Sequence, residues 1–430
     1  MRVIFHIVDN YRRDLSWRLD LSIKLKKLGY TNYIGTPASI RKLHLSHRNA
    51  VILGRLGSTT GNSEFDKEFI KEIENNCSKL IYFHDEGGVF SSNTFTNSVL
   101  HTHPVDIINK DFVQKVFVWG INQYNVLKSY VPNDKLMVFG MPRLESVASL
   151  CKSNYNKKEF ILINSRFGDV NKVDGDISFF DKRRIEIRKE GNPGLNINEI
   201  KDDLISEWCS SNISFTYFIE MVHSVLSAYP NENFLIRPHP SESVDFYLDV
   251  FSTYPNVSVS KEGDLIELFE NTKLVLHSQC TTGLEAFFNN IPQINFIPTT
   301  NDNSLLTCVS ELAPIATNRE NLLYLVNNFL SGNYDDSTDL KNIKKYIANV
   351  DNSLSSHNLI IKEIDTFFKN SITSLSIKIN IFVIKYYIKR LLSFFRLINI
   401  SDNKTSRLYW PKLFELDEKY LNSIIKSGYR

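Results

Sequence analysis

The sequence predicts an α/β protein built as two successive parallel-sheet lobes. Three observations carry this. Apolar β-type runs alternate with segments of helical period, the alternation restarts after Pro142, and 430 residues exceed what one hydrophobic core usually holds. In chain order, Val3–Val8 reads as a strand because six apolar or β-type residues run without a break. Residues 13–28 carry a helical period, and Gly29 supplies a stop. Val51–Leu53, Leu80–Phe83, Val116–Trp119 and Lys135–Phe139 complete the strands of the first lobe. The second lobe opens with a strand at Phe160–Asn164 and a helix at Ser214–Ala228. Strands follow at Phe234–Arg237, Val257–Ser260, Leu274–His277 and Gln293–Phe296, with a helix at Thr282–Asn289 before the last of them. A polar stretch at 167–200, containing Pro193, reads as a long insertion. The expected organisation is a Rossmann-like lobe over 1–155, a second over 156–340, a cleft between them, and C-terminal helices over 341–430. Open parallel sheets bind ligands beyond the C-terminal ends of their strands, so functional residues are expected just after strands.

Composition excludes several classes. With 42% hydrophobic and 23% charged residues, the chain is neither disordered nor fibrous. A formal charge of +2 argues against a general nucleic-acid binder. That total hides an asymmetry. Residues 371–430 hold 11 Lys/Arg and four Asp/Glu, leaving 39 basic and 44 acidic residues in the body. Residues 375–400 are apolar but interrupted by Lys378, Lys385, Lys389, Arg390 and Arg396, so no run reaches the roughly 20 residues of a spanning helix. An acid-free segment of this kind suits either an anionic membrane surface or packing on the protein body. The cysteines (Cys77, Cys151, Cys209, Cys280 and Cys308) are odd in number and form no CxxC pair, which fits reduced thiols in the cytoplasm. The N-terminal apolar run is too short for a signal peptide.

Three strand-end motifs carry chemistry. LIYFHDEGGVF ends a strand in Asp85-Glu86 followed by two glycines. Carboxylates there can serve as general base or nucleophile; the alternative is a charged turn. FLIRPHPSES ends a strand in Arg237-Pro238-His239-Pro240. Two prolines stiffen the backbone, and a cation and an imidazole project from it, a pair suited to a phosphate. LVLHSQCTTGLEAF turns from strand to helix through Ser278, Thr281, Thr282 and Gly283, with Glu285 one turn in, placed to reach a ribose or base hydroxyl. That reads as an anion site at a helix N-terminus or as an ordinary N-cap. Arg166 and Asp169 follow the first strand of the second lobe, and Gly140 follows a first-lobe strand. Neither a Walker A sequence, GxGxxG, GxSxG nor HExxH occurs, and Asp174-Gly175-Asp176 falls in the polar insertion, so no metal is required.

These stretches resemble bacterial GT-B glycosyltransferases that use CMP-activated acidic sugars. The [D/E]-[D/E]-G, HP and Ser/Thr motifs of bacterial sialyltransferases correspond to Asp85-Glu86-Gly87, His239-Pro240 and the Ser278/Thr281/Thr282 turn. HDEGGVF, FVWG, FGMPRLE, ILINSRFGDVN, IRPHPSE and LHSQCTTGLEAFFNNIP look more closely like surface-carbohydrate biosynthesis proteins and the Kdo transferases near them, over about residues 80–300. The Ser/Thr motif departs from the sialyltransferase form, because Gln279 and Cys280 separate the hydroxyls. The resemblance implies a GT-B-like fold, a CMP-sugar donor without a cofactor, and a glycan or lipid-linked glycan acceptor. It implies that Asp85, Glu86, His239 and Asp169 do chemistry, and that Arg166, Arg237, Ser278, Thr281, Thr282, Gly283, Glu285 and Gly140 bind the donor. The expected location is cytoplasmic, and residues 375–400 would allow a peripheral place on the inner face of the cytoplasmic membrane. The alternatives are a CDP-glycerol-type or UDP/GDP-sugar transferase, a nucleotide-sugar epimerase, and a non-catalytic scaffold of polysaccharide assembly.

Overall fold

The computed structural model describes residues 2–8, 11–57, 63–85, 90, 94–145, 158–173, 185–186, 196–263, 265–298, 308–334 and 340–370. Glu86, Gly87 and Gly88, most of the polar insertion, the expected lobe boundary near 155 and the basic tail 371–430 lie outside the described residues.

The chain forms two units, each with its own six-stranded, wholly parallel sheet. The first contains β1 (Val3–Ile7), α1 (Tyr11–Lys27), β2 (Thr31–Gly35), α2 (Pro37–His44), β3 (Val51–Leu53), α3 (Glu64–Asn75), β4 (Lys79–Tyr82), then α4 (Phe95–Thr102) from Val99 on, α5 (Val105–Ile108), β5 (Val113–Val118), α6 (Ile121–Leu127) and β6 (Leu136–Val138). Its strand order is β2-β1-β3-β4-β5-β6. Edge strand β2, TNYIG, is only half buried, and its mixed polarity hides it in the sequence. Gly29 ends α1 as expected, with φ +86°.

The second unit contains β7 (Phe160–Asn164), α7 (Ile197–Ala228), β8 (Phe234–Arg237), α8 (Val244–Phe251), β9 (Val257–Val259), α9 (Leu265–Glu270), β10 (Thr272–His277), α10 (Thr282–Phe288), β11 (Gln293–Phe296), β12 (Ile315–Ala316), α11 (Arg319–Leu330) and α12 (Leu340–Lys344). Its order is β12-β11-β10-β7-β8-β9, the dinucleotide-fold order in which the chain reverses direction between β7 and β10. Both faces of the sheet are covered. Ile161 and Ile163 join Phe218, Val222 and Val225 of α7 on one face, while Leu162, Leu235 and Val275 meet Phe269, Ala286 and Ile291 on the other. Burial on both faces explains why these strands read as unbroken apolar runs rather than alternating ones.

One expectation is corrected. The helix expected at Ser214–Ala228 begins at Ile197, so the last residues of the expected insertion are helical. Its start is a capping box: Asn196 Oδ1 accepts from the Asn198 and Glu199 amides, and Glu199 Oε2 accepts from the Asn196 amide at 2.7 Å. That signature was legible; the polar surroundings of Asn196 masked it.

From Lys344, the last residue of α12, the chain belongs to the first unit and closes it with α13 (Ser356–Asn370). Asn349 seats this segment, accepting from the Met141 amide at 2.9 Å and donating to the Met141 carbonyl at 3.0 Å. Gly140, at φ +83°, has no room for a Cβ because Asn349 would overlap it.

Several buried histidines are held neutral. Burial lowers His6 to about 3, and His44, His103, His277 and His357 to about 4. Their folded values lie below the unfolded 6.5, so unfolding takes up protons as pH falls from about 6.5 towards 4, and stability is lost in that window. Each fully titrating histidine adds a slope of about 1.4 kcal/mol per pH unit. Urea unfolding followed between pH 7.5 and 4.5 is expected to show stability falling steadily below pH 6.5; a flat profile would refute the neutral assignment.

Candidate functional site

In the second unit the strand-end motifs meet at the β7/β10 reversal. Asn164, the last residue of β7, donates to Thr282 Oγ1 at 2.8 Å and to Cys280 Sγ at 3.2 Å. Arg166 Nε donates to the Ser278 carbonyl at 2.6 Å. These bonds join the loop after β7 to the loop after β10. Beside them, the Arg-Pro-His-Pro loop leaves the end of β8, the neighbour of β7.

The organising residue is one the motif reading passed over. Glu242 is fully buried. Its carboxylate accepts from Ser165 Oγ at 2.8 Å, from the Phe167 amide at 2.7 Å, from the His239 amide at 3.2 Å and from the Tyr247 hydroxyl. It thereby fastens the loop after β7 to the loop after β8. The burial of Tyr247, and after it the charge of the Glu242 carboxylate, push the phenol far above its ordinary value. Lys261 packs against the same loop, donating to the carbonyls of Pro240, at 3.2 Å, and Glu242. A buried acid with this many donors could have been suspected from the SES sequence after His-Pro, but nothing in the sequence shows that the glutamate turns inward.

The expected residues fall into three groups. The first is presented outward. His239, Arg166, Thr281 and Asp169 are exposed and Arg237 is partly so, with Arg237 Nη2 bonded to the Gly263 carbonyl at 3.1 Å. Thr281 sits at the N-cap of α10 but makes no side-chain capping bond, so the ordinary-cap reading fails for it. The second group faces inward. Ser278 is 5% exposed and its carbonyl is taken by Arg166. Thr282 is buried and its hydroxyl accepts from Asn164. Glu285 is partly buried on α10. At only seven residues, α10 has a modest dipole to offer an anion. Gly283 packs, because a Cβ there would lie 2.8 Å from His277 Nε2 and 2.9 Å from Gln293 Oε1, which bond each other at 3.0 Å. Gly283→Ala is therefore expected to cost about 1–3 kcal/mol of stability through overpacking, read as a lower thermal midpoint without change in fold by circular dichroism.

The third group is in the first unit. Gly140 has its packing reason at Asn349. Asp85 follows β4 and pairs with Arg18 Nη2 at 3.0 Å. Arg18 is wholly buried. Its guanidinium lies 4.1 Å from the Trp17 ring centroid and 4.5 Å from that of Phe83, and Nη1 reaches the Leu53 carbonyl at 3.4 Å. Sequence reading missed Arg18 because it lies far from Asp85 along the chain. Glu86 is outside the described residues.

Among the described residues, no group of three His, Cys, Asp or Glu side chains could hold a metal ion, and no helix is long and apolar enough to cross a membrane.

No family model and no curated protein matches this sequence. Solved structures do match. A Listeria monocytogenes structure described as a putative UDP-N-acetylglucosamine 2-epimerase aligns at TM-score 0.50 and 11% identity, over 88% of this chain and 99% of that one. The Neisseria meningitidis UDP-GlcNAc 2-epimerase bound to UDP-GlcNAc gives 0.50 and 11%, over 85% and 100%. The S. aureus MnaA–UDP complex gives 0.50 and 11%, over 87% and 100%. The likeness is one of fold: this chain has the α/β, two-lobed GT-B-like fold.

Proposed function

We propose that this chain is a glycosyltransferase that takes its sugar from a nucleotide-activated donor. The observation that carries this is that Arg166 and Thr281 follow β7 and β10 at the chain reversal, where doubly wound sheets bind nucleotides, with Arg237 and His239 following the neighbouring strand β8. All four can donate to an anion, within a chain body that is otherwise acidic on balance.

The finer reading is a CMP-activated acidic ulosonic sugar, with Kdo the first choice, passed to a surface polysaccharide or lipid-linked glycan. The motif resemblance supports it. So does the chemistry: CMP leaves as a phosphate monoester whose developing charge His239 and Arg237 can stabilise. Asp85, with Glu86 and Asp169 as alternatives, takes the carboxylate role, as base in an inverting reaction or as nucleophile in a retaining one. No cofactor or metal enters this scheme. Residues 375–400 would hold the chain on the inner, anionic face of the cytoplasmic membrane, close to a lipid-linked acceptor. Loss of liposome co-sedimentation on deleting 371–430, with the remaining protein shown to be folded, checks that part.

A thermal-shift screen of CMP, CDP, UDP and GDP tests the donor class. Incubation with CMP-Kdo or CMP-sialic acid plus acceptor, followed by intact-protein mass spectrometry, then reports hydrolysis, transfer and any covalent adduct. Stabilisation by CMP with transfer is expected. Stabilisation by UDP alone, with conversion of UDP-GlcNAc, would replace transfer with the epimerisation named for the structural neighbours.

A further inference from the structure

His239 does not hang freely from its loop. Its Nδ1 lies 2.7 Å from Ser241 Oγ and receives the Ser241 backbone amide at 3.3 Å. An amide N–H can only donate, so Nδ1 is an acceptor here. A neutral imidazole with an accepting Nδ1 carries its proton on Nε2. The Ser241 hydroxyl then also donates to Nδ1.

This arrangement depends on a glycine in a different loop. Gly168 follows β7, and a Cβ on it would overlap Ser241 Oγ and stand 3.1 Å from His239 Nδ1. Its φ is not in the left-handed region, so the requirement is one of space rather than of backbone freedom. The loops are joined further at Glu242, which accepts from both the Phe167 and His239 amides, and at the Val173 amide, which donates to the Ser241 carbonyl at 3.1 Å.

We propose that Gly168 and Ser241 are positioning residues that hold His239 with Nδ1 as acceptor and present Nε2–H as a fixed donor to a phosphate oxygen of the nucleotide. The ligand half of this rests on the sugar-nucleotide reading; the ring-orientation half does not. A preset tautomer matters because a histidine free to exchange tautomers presents a lone pair at Nε2 for part of the time, and a lone pair repels a phosphate oxygen. Fixing the donor before binding removes that cost.

The test is two-bond ¹H–¹⁵N spectroscopy of the full chain labelled on histidine, above the histidine titration range, with the His239 signals assigned by their loss in His239→Gln. The wild type is expected to show the Nε2–H tautomer alone. Ser241→Ala, at an exposed position that should not disturb folding, removes one of two donors to Nδ1 and shifts the tautomer ratio about fivefold towards Nδ1–H. Gly168→Ala pushes Ser241 off the ring, gives a mixed tautomer and weakens CMP and CDP binding about tenfold. The double variant Gly168→Ala/Ser241→Ala removes the overlapping oxygen and regains binding to within about threefold of Ser241→Ala alone. An Nδ1–H tautomer in the wild type overturns the proposal. So does a Ser241→Ala protein with an unchanged tautomer ratio, or a double variant that binds no better than Gly168→Ala. If the tautomers behave as expected while CMP, CDP, UDP and GDP all leave the His239 signals unmoved, the positioning stands and the sugar-nucleotide reading falls.

Discussion

Glu242→Ala is expected to lower the free energy of unfolding of the second unit by about 4 kcal/mol. The carboxylate is fully buried and collects two hydroxyls and two backbone amides from three separate places in the chain. Truncation leaves the Phe167 and His239 amides without their acceptor, while Ser165 Oγ and the Tyr247 hydroxyl, 2.8 Å apart, keep one bond between them; each donor left bare costs about 1–3 kcal/mol where water does not replace the carboxylate. Glu242→Gln keeps one accepting oxygen but turns the other position into a donor facing donors, so about half that loss is expected. Tyr247→Phe removes a single donor and leaves the carboxylate three others, so it should cost only about 1 kcal/mol. Urea unfolding with an unchanged slope and a midpoint falling in the order Tyr247→Phe, Glu242→Gln, Glu242→Ala checks the ranking. A Glu242→Ala protein as stable as Tyr247→Phe would show that the carboxylate is not the common acceptor. Under the transferase reading, nucleotide binding should fall with the same order, because the bonds that are lost also hold the loops carrying Arg166 and His239.

That prediction marks where the sequence stopped being legible. β7, β8, β10 and β11 were readable because burial on both faces forces near-continuous apolar runs, and Gly29 was readable because helix ends demand a left-handed residue. The chemistry-bearing loops were readable too, since Arg237, His239 and Thr281 follow strands in local sequence. What escaped was every partner that is remote along the chain. Asn164 meets Thr282 because the parallel sheet brings the ends of β7 and β10 together, whereas Arg18 reaches Asp85 from α1 and Asn349 reaches Gly140 from the segment between α12 and α13. Local reading also mis-sorted residues of a single motif. In CTTG, Thr281 is exposed whereas Thr282 and Gly283 are spent on internal packing, and no rule of composition separates two adjacent threonines.

Arg18 makes the role of Asp85 separable by experiment. An ion pair this deeply buried is costly to break from one side, because the surviving charge has no solvent. Asp85→Ala strands a guanidinium enclosed by Trp17, Phe83 and the Leu53 carbonyl, and a loss of about 3–5 kcal/mol is expected. Arg18→Met should also destabilise, because it takes away the guanidinium with which the Asp85 carboxylate pairs. The pair Arg18→Met/Asp85→Ala removes both charges and should be destabilised by clearly less than the two single losses combined, a coupling that a double-mutant cycle in urea measures directly. Asp85→Asn is the informative variant for chemistry. It keeps the shape and one accepting oxygen for Arg18, so more of the protein stays folded. It cannot act as base or nucleophile. Under the transferase reading, turnover per folded molecule should fall by about 10²–10⁴-fold while donor affinity changes little. Wild-type turnover in folded Asp85→Asn would make Asp85 a structural partner of Arg18 and pass the carboxylate role to Glu86 or Asp169. The physical argument for expecting the loss is that the pair is lopsided: Arg18 is completely enclosed, whereas the Asp85 side chain keeps 7% exposure at a strand end. An ion pair needed only for stability gains nothing from that opening. A carboxylate that must stay charged, oriented by a fixed guanidinium and still reach a substrate hydroxyl needs it.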